Sequence, residues 1–128
     1  MSPGQRYEVL WTETAVQMLT GVSDRRIQQQ LFDVSKRLQH EPEKQGKPLR
    51  EDLLGYRSLR VAGQRYRLVD SIDSEASRVH VVAAGLRRAG AREDVYELAQ
   101  KMVRLGLAAG PPKTNREVSR VGRQRKKR

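Results

Sequence analysis

Three short runs of alternating residues between Tyr56 and Ala84 constrain the fold of this chain more than any other feature. The runs are Tyr56 to Val61, Arg65 to Ile72, and Arg78 to Ala84. Ala62-Gly63-Gln64 forms the first turn and Asp73-Ser74-Glu75 the second. Connections this short cannot carry a parallel crossover, which takes about a dozen residues or more. The three runs are therefore expected to form an antiparallel meander. Alternate residues on a strand share a face. Leu59 and Val61 then point to one side and Ser58 and Arg60 to the other. In the second strand Tyr66, Leu68 and Ile72 form the apolar face, while Arg65, Arg67, Val69 and Ser71 share the opposite one.

The residues around the meander read as one strand and three helices. Tyr7, Val9 and Trp11 alternate with Glu8 and Thr12, which predicts a first strand with one buried face. Thr12 is placed to cap a helix over 13–20 that turns Ala15, Val16 and Leu19 inward and ends at Gly21. Ser23 and Asp24 are cap residues for a second helix with Ile27, Leu31, Val34 and Leu38 along one stripe. The two make a helical hairpin. Pro42, Gly46 and Pro48 mark an irregular connector to the meander. After a loop over 85–90, Val95, Leu98, Ala99, Met102 and Leu105 predict a last helix over 92–105, with Gly106 as its C-terminal stop. The expected fold class is α+β, with the helices on one face of the sheet.

Charge divides the chain. Of 26 Lys and Arg and 15 Asp and Glu, residues 109–128 hold eight and one, so the last twenty residues carry +7 of the net +11 and residues 1–108 carry +4. Pro111-Pro112 stops the last helix and few apolar anchors follow. Residues 1–108 are read as the folded domain and 109–128 as a basic, disordered tail. There is no cysteine, which excludes a disulfide framework and a zinc-thiolate site and points to a reducing cytoplasm. No run approaches the roughly 18 apolar residues of a membrane span.

The chemical inventory is restrictive. His40 and His80 are the two histidines, and no His/Asp/Glu spacing suggests a metal. No glycine-rich loop precedes a helix in a nucleotide-binding pattern. No metal and no cofactor is expected. Arginine stands out instead: Arg57, Arg60, Arg65 and Arg67 lie within the eleven residues 57–67, and Arg87 and Arg88 follow the last strand. Guanidinium forks bind phosphate through paired hydrogen bonds. A solvated polar sheet face with scattered ion pairs explains the same residues without a ligand.

The string Leu59-Arg60-Val61-Ala62-Gly63-Gln64-Arg65-Tyr66-Arg67-Leu68-Val69 resembles the hairpin of the RelE/ParE superfamily of bacterial toxins. Gly46-Lys47-Pro48-Leu49 and Leu53-Leu54-Gly55-Tyr56-Arg57 are similar to that family's approach to the hairpin. Val81-Val82-Ala83-Ala84-Gly85-Leu86-Arg87 resembles its last strand, and Gly90 to Tyr96 the segment with a late tyrosine. The likeness spans about residues 6–107. It implies one half of a type II toxin–antitoxin pair, with a cognate antitoxin as partner. RelE-like members cut messenger RNA on the ribosome without a metal, whereas ParE-like members poison DNA gyrase. For the first branch the resemblance assigns Arg67 to the transition state, Arg87 to the leaving group and Tyr96 as base, all three catalytic; the structural alternatives are that Tyr96 packs in the last helix and that Arg87 pairs with Glu93 or Asp94. A tyrosine base needs neighbouring cations that favour its phenolate. Arg57, Arg60, Arg65, Arg88 and Arg92 are the expected RNA- and phosphate-binding residues.

Two departures from the family pattern bear on activity. Where RelE-like enzymes often carry two lysines in the first meander strand, this chain has Tyr56 and Ser58. Where the hairpin usually ends in an aromatic residue, it has Asp70, on the side assigned to the core. An unpaired buried carboxylate is costly. The expectation is an attenuated toxin, unless a local bulge exposes Asp70. The function expected first is a ribosome-dependent mRNA endonuclease. A gyrase inhibitor is the second possibility, and a nucleic-acid-binding module without chemistry the third, its basic tail acting as phosphate anchor.

Overall fold

The computed structural model describes residues 6–63, 65–106 and the backbone of 113–114. Its main elements follow the order expected from the sequence, with two short strands added, Lys47–Pro48 and Lys113–Thr114. β1 (Glu8–Trp11) leads into α1 (Glu13–Thr20) and α2 (Arg25–Arg37). A short strand β2 (Lys47–Pro48) follows, flanked by 3-10 turns at Pro42–Lys44 and Glu51–Leu53. The meander is β3 (Arg57–Val61), β4 (Tyr66–Asp73) and β5 (Arg78–Leu86), followed by α3 (Val95–Arg104) and β6 (Lys113–Thr114).

Local signals set the helix ends. Thr12 Oγ1 accepts from the Ala15 amide at 3.1 Å and donates to the Val82 carbonyl at 3.3 Å, so the cap also ties α1 to β5. Asp24 Oδ1 accepts from the Arg26 and Ile27 amides to open α2. The last helix starts at Val95 rather than 92, because Asp94 is its cap. Glycine is required in one place above others. Gly46 has φ +74, and a Cβ there would lie 2.5 Å from the Ser58 carbonyl oxygen, so β2 closes on β3 only with glycine at this position.

The strands form one sheet in the order β2-β3-β4-β5-β1-β6. Neighbours are antiparallel except β1, which runs parallel to β5. The α1–α2 hairpin covers one face, packing on Leu59, Val61, Leu68, Val79 and Val81 around the fully buried Trp11. Contrary to the one-sided arrangement expected, α3 covers the other face. Val95 and Ala99 pack there on Val69, Val82 and Ala83. The register explains it. Leu68 pairs with Ala84 and Val69 with Ala83, but Asp70 pairs with Val81. The extra residue, Val82, is a bulge that gives the second face a continuous apolar patch.

The bulge does not expose Asp70, which is 1% accessible and opposite Arg57. The expected disordered tail, 109–128, lies outside the described residues except for 113–114. That dipeptide pairs antiparallel with Leu10 and Trp11. No helix among the described residues is long and apolar enough to cross a membrane.

Candidate functional site

The α3 face of the sheet carries the polar side of β3. Ser58 and Arg60 point that way, and in register Ser58 faces Val69 and Arg60 faces Arg67. Like charges directly opposite each other cost a sheet stability. Lys47 of β2 pairs with Ser58, so a third cation joins the same face. Tyr96, in the first turn of α3, completes it: its hydroxyl and that of Ser58 hydrogen bond at 2.7 Å. These residues line a cleft of about 550 Å³ with three cations and no carboxylate on its walls.

Asp94 is the joint that holds Tyr96. Its side chain is fully buried, and Oδ2 accepts from Arg87 Nη1 at 2.6 Å and from the amides of Tyr96 and Glu97. Oδ1 accepts from the Arg88 amide. Burial alone raises this carboxyl, but the Arg87 guanidinium and the Arg88 and Glu97 amides outweigh it and hold Asp94 below the usual carboxylate range. One residue thus caps α3, anchors the end of β5 and fixes Arg87. The Arg87 guanidinium sits 4.4 Å from the Tyr96 ring centroid, a cation–π contact.

Of the residues expected to be catalytic, Arg67 and Tyr96 line the cleft, and Arg87 stacks on the tyrosine from outside the lining. Of those expected to bind phosphate, only Arg60 lines it. Arg57 is placed differently from the expectation. It lies on the α1–α2 face, and its Nη2 donates to the carbonyls of Glu43, Gln45 and Gly46. It holds the connector in place and does not face the cleft. Arg65, Arg88 and Arg92 are exposed and do not line the cleft. Sequence reasoning passed over Lys47 and named Asp94 only as an alternative ion-pair partner of Arg87, a pair that the structure forms. Asp94 carried a signal, since it follows Glu93 and precedes an apolar stripe, but neither acid was singled out as a cap.

No family model and no curated relative matches the chain. Solved structures do. A chain of the toxin–antitoxin complex RelBE2 from Mycobacterium tuberculosis is 34% identical, with a TM-score of 0.59 over 66% of this chain and 94% of that one. A mutant of the Escherichia coli toxin RelE in the free state is 18% identical, with a TM-score of 0.60 over 78% and 98%. A YoeB/ParE toxin from Agrobacterium tumefaciens is 21% identical, with a TM-score of 0.54 over 63% and 99%. The last two share the fold.

Proposed function

The chain belongs to the RelE/ParE superfamily of toxins, and from that premise we propose that its cleft cuts messenger RNA on the ribosome. It is a toxin of the toxin–antitoxin type; the reaction and the residues that perform it are the proposal. The observation that carries it is the Tyr96 hydroxyl, held by Ser58 at 2.7 Å in a cleft walled by Lys47, Arg60 and Arg67.

The chemistry is transfer of phosphorus from the 5′ oxygen to the RNA's own 2′ oxygen. Tyr96 takes the 2′ proton, and the 2′ oxygen attacks phosphorus. Arg67 and Arg60 stabilise the charge that builds on the phosphorane oxygens. The bond to the 5′ oxygen breaks, leaving a 2′,3′-cyclic phosphate, and solvent supplies the proton that the leaving oxygen takes up. Arg87 keeps positive charge at the face of the Tyr96 ring. It has five N–H donors, so one bond to Asp94 leaves others for the leaving oxygen.

A cognate antitoxin is the expected partner, by analogy with the RelBE2 complex. Residues 109–128, with their +7 charge, supply salt-sensitive attraction to ribosomal RNA. Cleavage on translating ribosomes tests the reading. Wild type is expected to cut the message, and Arg67→Ala and Arg87→Ala to lose most of that activity. Gyrase-dependent DNA breaks with intact message would replace this reading with gyrase poisoning.

A further inference from the structure

We propose that Lys47 grips a backbone phosphate of the RNA substrate, supplying a cationic contact from outside the meander. The inference rests on the RNA reading above and adds to it a residue that the arginine pattern does not reveal.

The position of Lys47 is built. Three features fix the strand that carries it. Gly46 lets β2 close on β3 where any side chain would strike the Ser58 carbonyl. Arg57 Nη2 holds the three carbonyls of Glu43, Gln45 and Gly46, the segment that leads into Lys47. Lys47 then pairs with Ser58 across the ladder. Directly opposite residues project from the same face with their Cβ atoms about 5 Å apart. Lys47 therefore stands beside the Ser58–Tyr96 hydroxyl pair and lines the cleft.

Its spacing from the other cations suits a chain ligand. Ser58 and Arg60 are two residues apart on β3, about 7 Å. Lys47 marks one end of that interval and the Arg60–Arg67 pair the other. Two cationic stations on one face, with a hydroxyl between strand and helix, fit successive phosphates of a single strand better than one isolated anion. A lysine ammonium suits this role because it is a compact point charge on a flexible stem. Lys47 is exposed, so replacing it leaves the core untouched.

The test uses the full chain and a 2′-O-methylated single-stranded RNA of mixed sequence, which binds but cannot be cut. Affinity is measured across a salt series for wild type, Lys47→Gln, Lys47→Arg and Lys44→Gln. Lys44 pairs with Glu41, does not line the cleft and controls for net charge. Lys47→Gln is expected to weaken binding several-fold and to flatten the logarithmic salt slope by about 0.7. Lys47→Arg is expected to restore both, and Lys44→Gln to match wild type. On ribosomes Lys47→Gln is expected to raise KM more than it lowers kcat. Equal effects of Lys47→Gln and Lys44→Gln, or no change in slope, would overturn the proposal. If wild type cuts nothing on ribosomes, the endonuclease reading falls, while the oligonucleotide result still decides the role of Lys47.

Discussion

Asp70 sits on the inner face of β4, opposite Arg57, and neither of its carboxylate oxygens has a hydrogen-bond partner. Burial pushes its pKa up to about 7, against a smaller pull downward from Arg57. The folded protein therefore holds a proton here that the unfolded chain releases near pH 4. This proton stabilises the fold below that pH, and the contribution is lost as pH rises toward 7, up to roughly 4 kcal/mol in all. Urea unfolding is expected to show a higher midpoint at pH 5 than at pH 8. Asp70→Asn is expected to flatten the difference and to gain on the order of 1–3 kcal/mol at pH 8; an unchanged pH dependence would contradict this. Asp70→Tyr, the aromatic that the family pattern favours, tests attenuation. A higher melting temperature with stronger growth arrest supports it, and no change in either refutes it. The sequence made the side of Asp70 legible, because period-two alternation is local. It did not reveal Arg57 opposite, because that pairing depends on hairpin register.

At the scale of elements, two joints position the cleft. Asp94 serves α3, and its pKa, held below the usual range, means that its contribution persists at neutral pH and is lost only as strong acid protonates it. Asp94→Ala removes a cap and strands Arg87, with an expected cost of about 2–4 kcal/mol by urea melts and a fall in cleavage. Asp94→Asn, which retains a capping oxygen, is expected to fall between. Arg57 serves the connector. Arg57→Met leaves three carbonyls without that donor and Asp70 without its nearby cation, with an expected loss of about 3 kcal/mol or more. Combining it with Asp70→Leu is expected to cost less than the single change, which a double-mutant cycle would read directly. Both ends of α1 and the start of α2 were legible because their caps are local: Thr12 and Asp24 accept from amides two or three residues on, and the Gly21 amide donates to the Gln17 carbonyl. β2, β6 and the parallel seat of β1 were not, because each exists only through a distant partner.

Across the whole molecule, the sheet divides its work by face. One side is packed under the α1–α2 hairpin, and the other carries both the α3 core and the cleft. The cleft needs both, since Ser58, Arg60 and Arg67 come from the meander while Tyr96 comes from the helix laid over it. The meander, its arginines and the late tyrosine were legible one by one. Their convergence depended on α3 crossing to the second face, which the Val82 bulge makes apolar enough to bury it. Net charge was a coarser guide: of the five arginines expected to bind phosphate, Arg60 alone lines the cleft.

The central claim is that Tyr96 performs proton transfer in RNA cleavage. The most direct measurement maps new RNA ends on reconstituted translating ribosomes with wild type and Tyr96→Phe, which removes one oxygen and keeps the ring under Arg87. The expected result is cleavage within the ribosome-bound codon by wild type, slowed by about 10²-fold or more in Tyr96→Phe, with both proteins melting within a few degrees of each other. Equal cleavage by the two proteins, or none by wild type, would contradict the claim.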